Sequence, residues 1–372
     1  MGKDLRLNVF HNGRQVGTLA QLHGLIYFSY TAEWISSGFS ISPRSLPLSN
    51  KAYQANGRYF EGLFGVFADS LPDGWGIRLA MRRLAEKGIS YAALSPLEKL
   101  SYLGEDGLGG LNYVPCLAKE NTQYEDADYE TIAQAAIQFQ EEDASQLDLL
   151  FAKAGSSGGA RPKAHIRFDG EEWIVKFPER KDDRRIGVME YEYALAAKEC
   201  GIAMSPCRLL PSTKCDGYFA TKRFDREKDC RIHVLSLSGF LENPHDLGNL
   251  DYLTLLQSIA FLTQAKDEVI QGFRRACFNV FARNRDDHGK NFSFLYDEKK
   301  KMYRLAPAYD LTFTPDIREH EMMVMGNGNP EEKDLLALAR KMDIPQGEAK
   351  AIITQVKTVV AERLGKWVGK VD

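Results

Sequence analysis

The chain has 372 residues, and at ~100–200 residues per domain that suggests two or three domains. Hydrophobic residues make up 44% and charged residues 27%, which excludes wholesale disorder. Forty-eight Lys and Arg against fifty-one Asp and Glu leave a net charge of −3, so no chain-wide basic footprint favours unaided nucleic-acid binding. No apolar run approaches the ~20 residues of a membrane span, and the opening residues lack the apolar core of a signal peptide. The six cysteines contain no CxxC pair and are expected to be reduced thiols rather than a zinc site. A cytoplasmic protein is the expectation.

Strands open the chain. Leu5, Leu7 and Val9 alternate with polar neighbours, Asn12-Gly13 is a hairpin signal, residues 15–19 return, and residues 25–30 form another strand. Helical spacing follows over 76–87, ended by Gly88, and over 96–103, ended by Gly104; residues 111–114 read as a closing strand. Residues 120–148 carry nine acidic residues and no Lys or Arg, with a helix over 131–139; the reading is a solvated acidic helix between domains. The grammar changes at Gly155-Ser156-Ser157-Gly158-Gly159, which runs into a strand over 163–168, a turn at Asp169-Gly170 and a partner strand over 173–177. A helix over 188–200 and strands over 207–210 and 217–223 follow. Beyond about residue 228 the pattern is mostly helical: 251–262, 267–283, 331–342 and 346–364, interrupted by a strand near 292–296 and its return over 302–305.

Three features bear on chemistry. A glycine-rich turn between strands can hold phosphate through backbone N–H groups, and it lacks the GxxxxGK[ST] of a Walker loop. Lys176 lies inside the apolar strand Trp173–Phe177, where its ammonium needs a partner or ligand; Glu190 or Glu192 on the next helix could pair with it. The loop Asn284–Asn291 separates Asp286 from Asn291 by four residues, the interval of the kinase catalytic loop D-x-x-x-x-N, with Lys290 between them and Asp310 beyond the next hairpin. An aspartate there accepts the proton of an attacking hydroxyl, and an asparagine oxygen ligates magnesium. His288 has no second histidine or cysteine nearby to build a zinc site, and no G-x-S-x-G elbow supports a serine hydrolase. The other glycine cluster, Gly104–Gly110, reads as a turn.

Taken in order, these motifs resemble the HipA family of bacterial toxin–antitoxin kinases. The resemblance is carried by Leu71-Pro72-Asp73-Gly74, Leu94–Leu103, Gly109-Gly110-Leu111, Gly158–Lys163, Glu190–Gly201, Arg223-Phe224-Asp225-Arg226, Asp286–Ser293 and Leu305–Asp310. It implies an α+β, two-lobed, phosphoinositide-kinase-like protein-kinase fold with a β-rich N-terminal subdomain (1–118), a kinase N-lobe with the acidic helix (119–228) and a helical C-lobe (229–372). The implied activity is an ATP- and Mg²⁺-dependent serine/threonine protein kinase. Asp286 is then the catalytic base with Lys290 beside it, and Asn291 and Asp310 are the magnesium ligands. Lys176 is the phosphate contact, with Glu190 its partner, and the backbone around Lys222–Phe224 is the adenine hinge. Ser156, Ser157, Gly158 and His288 also line the nucleotide site. Ser156, or Ser157 beside it, is the implied site of inactivating autophosphorylation. The implied partners are a helix-turn-helix antitoxin (HipB-like), through which DNA is contacted indirectly, and a translation-related substrate such as an aminoacyl-tRNA synthetase. The segment Ile232–Ser236 departs from the best-known member, and DFG and APE signatures are absent. A small-molecule kinase on the same scaffold and a catalytically weak antitoxin-binding co-repressor are the alternatives.

Overall fold

Leu7, Val9 and His11 are buried while Arg6 and Asn8 are exposed, so the period-two pattern of the first strand becomes a sheet with one face inward. The structure, a computed structural model, describes residues 5–103, 107–117, 128–154, 158–228 and 230–369. It is a mixed α/β chain. The first segment contains β1 (Leu5–His11), β2 (Arg14–Leu22), β3 (Leu25–Tyr30), α1 (Ala32–Ser37), β4 (Tyr53–Gln54), α2 (Gly65–Ala68), α3 (Gly74–Glu86), α4 (Pro96–Ser101) and β5 (Leu111–Val114). Then come α5 (Tyr129–Gln140), α6 (Leu147–Ala154), β6 (Lys163–Phe168), β7 (Glu171–Lys176), α7 (Ile186–Glu199), β8 (Cys207–Leu210), β9 (Tyr218–Lys222), β10 (Arg226–Glu227), β11 (Cys230–Arg231) and β12 (Val234–Ser236). The remainder holds α8 (Leu237–Leu241), β13 (Leu250–Asp251), α9 (Tyr252–Thr263), α10 (Lys266–Phe281), β14 (Ser293–Asp297), β15 (Met302–Leu305), β16 (Met322–Met323), α11 (Glu332–Lys341) and α12 (Gln346–Val368). Among the described residues no helix is long and apolar enough to cross a membrane.

The chain divides into two compact units, the first comprising Met1–Arg184, Leu210–Leu235 and Gly239–Pro244, the second Arg185–Leu209, Ser236–Ser238 and His245–Asp372. The first unit contains a five-stranded antiparallel sheet in the order β4-β3-β2-β1-β5 and a four-stranded sheet in the order β6-β7-β9-β8. Both hairpin signals are realised: Asn12 and Gly13 have φ of 46° and 77°, Asp169 and Gly170 have 52° and 77°, the paired left-handed residues of a two-residue hairpin loop. One core joins Trp75 and Leu79 of α3, Ile132 and Ala136 of α5, Leu147 and Leu150 of α6, and Trp173, Val175, Tyr218 and Ala220 of the four-stranded sheet. That core joins α3 to α5, α6 and the four-stranded sheet within the first unit. It also corrects the reading of the acidic helix. α5 is not merely solvated: Ile132, Ala133, Ala135 and Ala136 form a buried stripe, and the acidic residues occupy the rest of the segment. The helix α6 was not expected at all, because its eight residues abut the glycine-rich stretch.

In the second unit, α10 buries the expected face of Val269, Phe273, Ala276 and Val280, and also Arg275, Cys277, Phe278 and Asn279. α12 buries Ile352, Val356, Val360 and Leu364 at helical spacing. The β14–β15 hairpin pairs Phe294 with Leu305 and Asp297 with Met302. Its far end continues into Ala306, whose N–H donates to the Ser293 carbonyl at 2.8 Å.

Candidate functional site

Within the first unit, Lys163 and Lys176 are register partners at the ends of β6 and β7. Lys163 is only 8% exposed, and its ammonium donates to the Gly158 carbonyl. Lys176 is half-buried, with its ammonium 5.8 Å from the Phe219 ring centroid. Ser156 and Ser157 lie outside the described residues. Lys222 closes β9 opposite Trp173 of β7 and gives its side chain to Glu171. The Arg223 N–H donates to the Glu172 carbonyl at 2.8 Å, and Phe224 follows half-buried.

Just beyond, Asp225 is 2% exposed and lies between two guanidiniums, Arg223 Nη2 and Arg226 Nη1, each at 2.8 Å. Burial alone would raise its carboxyl, but the two arginines hold it well below the usual carboxylate range. The glycine cluster read as a turn is the other half of this arrangement. Gly107 C=O accepts from Arg223 and Arg226 at 3.0 and 2.8 Å, and the Gly109 N–H donates to Asp225 Oδ2 at 2.8 Å.

Within the second unit, Asp286, His288, Lys290 and Asn291 share one short turn. Gly289–Asn291 is a single 3-10 turn, with the Asn291 N–H donating to the His288 carbonyl at 2.9 Å. Asn291 Nδ2 donates to the Asp286 carbonyl at 2.8 Å, which leaves the amide oxygen as an acceptor. The Asp286 side chain is 50% exposed, with His288 Nε2 3.7 Å from its Oδ1. Asp310 follows the hairpin with φ 52°, a left-handed conformation that aspartate tolerates better than most residues. An amide oxygen and a carboxylate are hard donors. They suit Mg²⁺, which is held by one or two side chains together with phosphate oxygens. Glu190 is buried on α7, 4% exposed. Glu192 is engaged inside its own unit, accepting from Lys366 Nζ and Trp367 Nε1 at 2.6 Å each.

Several residues that support this turn escaped the sequence. Asp287 is fully buried and accepts from Tyr252 Oη at 2.6 Å and from the Met322 N–H at 3.3 Å, with His320 Nδ1 at 2.8 Å. The chain of bonds continues from Asn279 Nδ2 to Tyr252 Oη at 2.8 Å and from Asn284 Nδ2 to Asn279 Oδ1 at 3.0 Å. Burial, then the neighbouring Asp287 charge, pushes the Tyr252 hydroxyl well above its ordinary value, so it remains a donor. Tyr309 Oη donates to the Lys290 carbonyl at 2.5 Å and lies 2.7 Å from Ser293 Oγ, which ties the segment bearing Asp310 to the turn bearing Asp286. Arg275 is fully enclosed, brought down to about 10 by burial, and donates to the Ala306 carbonyl at 2.5 Å. Glu321 is pushed up by burial and then by the charge of Asp286. The sequence signal for Arg275 and Asn279 is polarity inside an otherwise apolar helix, whereas Asp287 and Tyr309 lie within the stretches 286–293 and 305–310 and only the fold supplies their partners.

Residues 155–364 match the HipA-like C-terminal domain and residues 7–114 match the HipA N-terminal domain. Two curated proteins of Sinorhizobium fredii (strain NBRC 101917 / NGR234) are similar. "Putative kinase Y4mE" is 26% identical over 370 residues, covering 86% of this chain and 80% of that protein. "Putative kinase Y4dM" is 28% identical over 203 residues, 50% of this chain, and the match spans about half, 47%, of that relative's length. Among solved structures, the Shewanella oneidensis MR-1 HipA, in complex with HipB and its operator DNA, has a TM-score of 0.71 at 18% identity, covering 97% of this chain and 90% of that one. At that identity the likeness is one of fold.

Proposed function

The chain belongs to the HipA family, and from that premise we propose that it is an ATP- and Mg²⁺-dependent serine/threonine protein kinase acting as the toxin of a toxin–antitoxin module. The observation that carries this reading is the single turn that presents an accessible Asp286 carboxylate, Lys290 and the Asn291 amide oxygen, bridged by Tyr309 to the segment bearing Asp310. On this reading the Asp286 carboxylate accepts the proton of a substrate hydroxyl, because it is exposed enough to be reached and its backbone is fixed. Lys290 supplies positive charge beside the transferred group. Asn291 and Asp310 would hold Mg²⁺, whose contribution when bound is to neutralise charge on the phosphate oxygens. Lys176, on its half-buried strand end, would contact nucleotide phosphate. Glu190 would orient it, since Glu192 is already engaged with Lys366 and Trp367. The backbone of Lys222–Phe224 would hold adenine, with His288 and Gly158 against the nucleotide. The two-lobed kinase-like fold and the three-part division at 118 and 228 belong to the same reading.

A phosphoserine carries about −1.5 to −2 charges. Its formation at Ser156 or Ser157, in a loop that must accept an anion, would switch the enzyme off. The proposed partner is a helix-turn-helix antitoxin of the HipB kind, through which operator DNA is reached. The proposed substrate is a translation-related protein, with an aminoacyl-tRNA synthetase the first candidate. Expression in a host without the antitoxin tests the whole reading. Growth should arrest with the unaltered chain and continue with Asp286→Asn at equal protein level; arrest by both would separate toxicity from phosphoryl transfer.

A further inference from the structure

The start of α3 grips the glycine-rich stretch by its backbone. The Asp73 carboxylate accepts the Gly159 N–H. The Gly159 carbonyl in turn accepts the Trp75 N–H at 2.9 Å, and Arg78 Nη2 donates to the Ala160 carbonyl at 2.7 Å. The approach is too close for a side chain: a Cβ on Gly74, at φ +42°, would lie 2.5 Å from the Gly159 oxygen. From the other side the Lys163 ammonium donates to the Gly158 carbonyl.

Asp73 is the N-cap residue of α3, where an aspartate ordinarily accepts an N–H of its own helix. No such capping bond is present. Its carboxylate is turned to the loop instead, 86 residues away in sequence. Glycine backbone carries the greatest conformational freedom of any residue, so a glycine loop ordered only on nucleotide binding would lose much of the binding energy to that ordering. A loop already fixed at Gly158–Ala160 avoids part of that loss.

We propose that Asp73 is a positioning residue for the nucleotide site: it presets the backbone of Gly158–Ala160 and so couples the N-terminal segment to phosphate binding. The inference rests on the kinase reading, and it acts through the backbone that Asp73 holds. The test uses the full chain, with Mg²⁺-ATP calorimetry beside amide hydrogen exchange of the peptide spanning 158–162.

Asp73→Ala should speed exchange of the Gly159 amide by about tenfold and weaken Mg²⁺-ATP by about tenfold. Asp73→Asn keeps a side-chain oxygen as acceptor and should stay within about threefold of the unaltered chain in both measurements. Melting temperatures of the variants identify a folding defect; should Asp73→Ala fail to fold, Asp73→Ser, which keeps a capping oxygen but falls short of the Gly159 N–H, is read in its place, and unchanged exchange and affinity there overturn the proposal. Unchanged exchange and affinity in Asp73→Ala overturn the proposal, and so does tighter nucleotide binding, which would make the contact a restraint against the ligand. If the unaltered chain binds no Mg²⁺-ATP, the kinase reading fails and the nucleotide role of Asp73 with it. The exchange of Gly159 then still decides, separately, whether Asp73 holds the loop.

Discussion

Asp286 and Asp287 are neighbours in sequence, yet the first side chain is half exposed and the second has no exposure at all. A buried carboxylate is tolerable only when its lone pairs are satisfied, and Tyr252, the Met322 N–H and His320 do this for Asp287. The two residues should therefore answer differently to substitution. Asp287→Ala strands a buried hydroxyl and a buried imidazole and should cost about 3 kcal/mol in urea unfolding, whereas Asp286→Asn should stay within about 0.5 kcal/mol. Equal stability losses would contradict the division of roles. The sequence makes Asp286 legible, because the four-residue interval to Asn291 is local. Asp287 is not legible, because its partners lie 35 and 33 residues away and only the fold brings them together.

At the scale of elements, the β14–β15 hairpin leads into a segment that is tied back to the turn bearing Asp286. Tyr309 joins its far end to the Lys290 carbonyl, so the two expected magnesium ligands, Asn291 and Asp310, are connected through one phenol. Tyr309→Phe should raise the Mg²⁺ concentration for half-maximal transfer by about tenfold and lower the melting temperature by about 2–4 °C. An unchanged Mg²⁺ requirement would remove the bridge from the account. Strands with alternating burial and a turn dipeptide were readable within a residue or two, as at residues 25–30, 163–168 and 302–305. The acidic helix was located but its environment was not, since Ile132 and Ala136 become a core stripe only when β6, β7 and β9 are present to cover them. The Gly107–Gly109 cluster read as a turn for the same reason: its partners, Arg223, Asp225 and Arg226, are more than a hundred residues downstream.

Over the whole molecule, several ionisable groups of the first unit are held away from their ordinary values in one sense. Burial, then Arg14, lowers His11 to about 4, and burial, then His11, lowers His233 to about 3. Burial and then Arg223 lower His165 as well. A folded value below the unfolded one means that the stability is present in full above about pH 6.5 and is lost as pH falls toward the folded value. Asp225 follows the same rule below the ordinary carboxylate range. Glu242, Glu268 and Glu321, raised by burial, act in the opposite sense. The three imidazoles together should lower stability by about 4 kcal/mol between pH 7.5 and 5.5, measured by thermal melts; a flat profile over that interval would rule out buried neutral imidazoles.

The matched segments 7–114 and 155–364 place the chain in the HipA family, and the proposal made on that basis is that a phosphoryl group passes from ATP to a serine hydroxyl whose proton Asp286 accepts. Intact mass with peptide mapping, after incubation of the purified chain with Mg²⁺-ATP, tests it most directly. One added phosphate is expected on Ser156 or Ser157 of the unaltered chain and none on Asp286→Asn; equal phosphate on both proteins would remove Asp286 from the transfer.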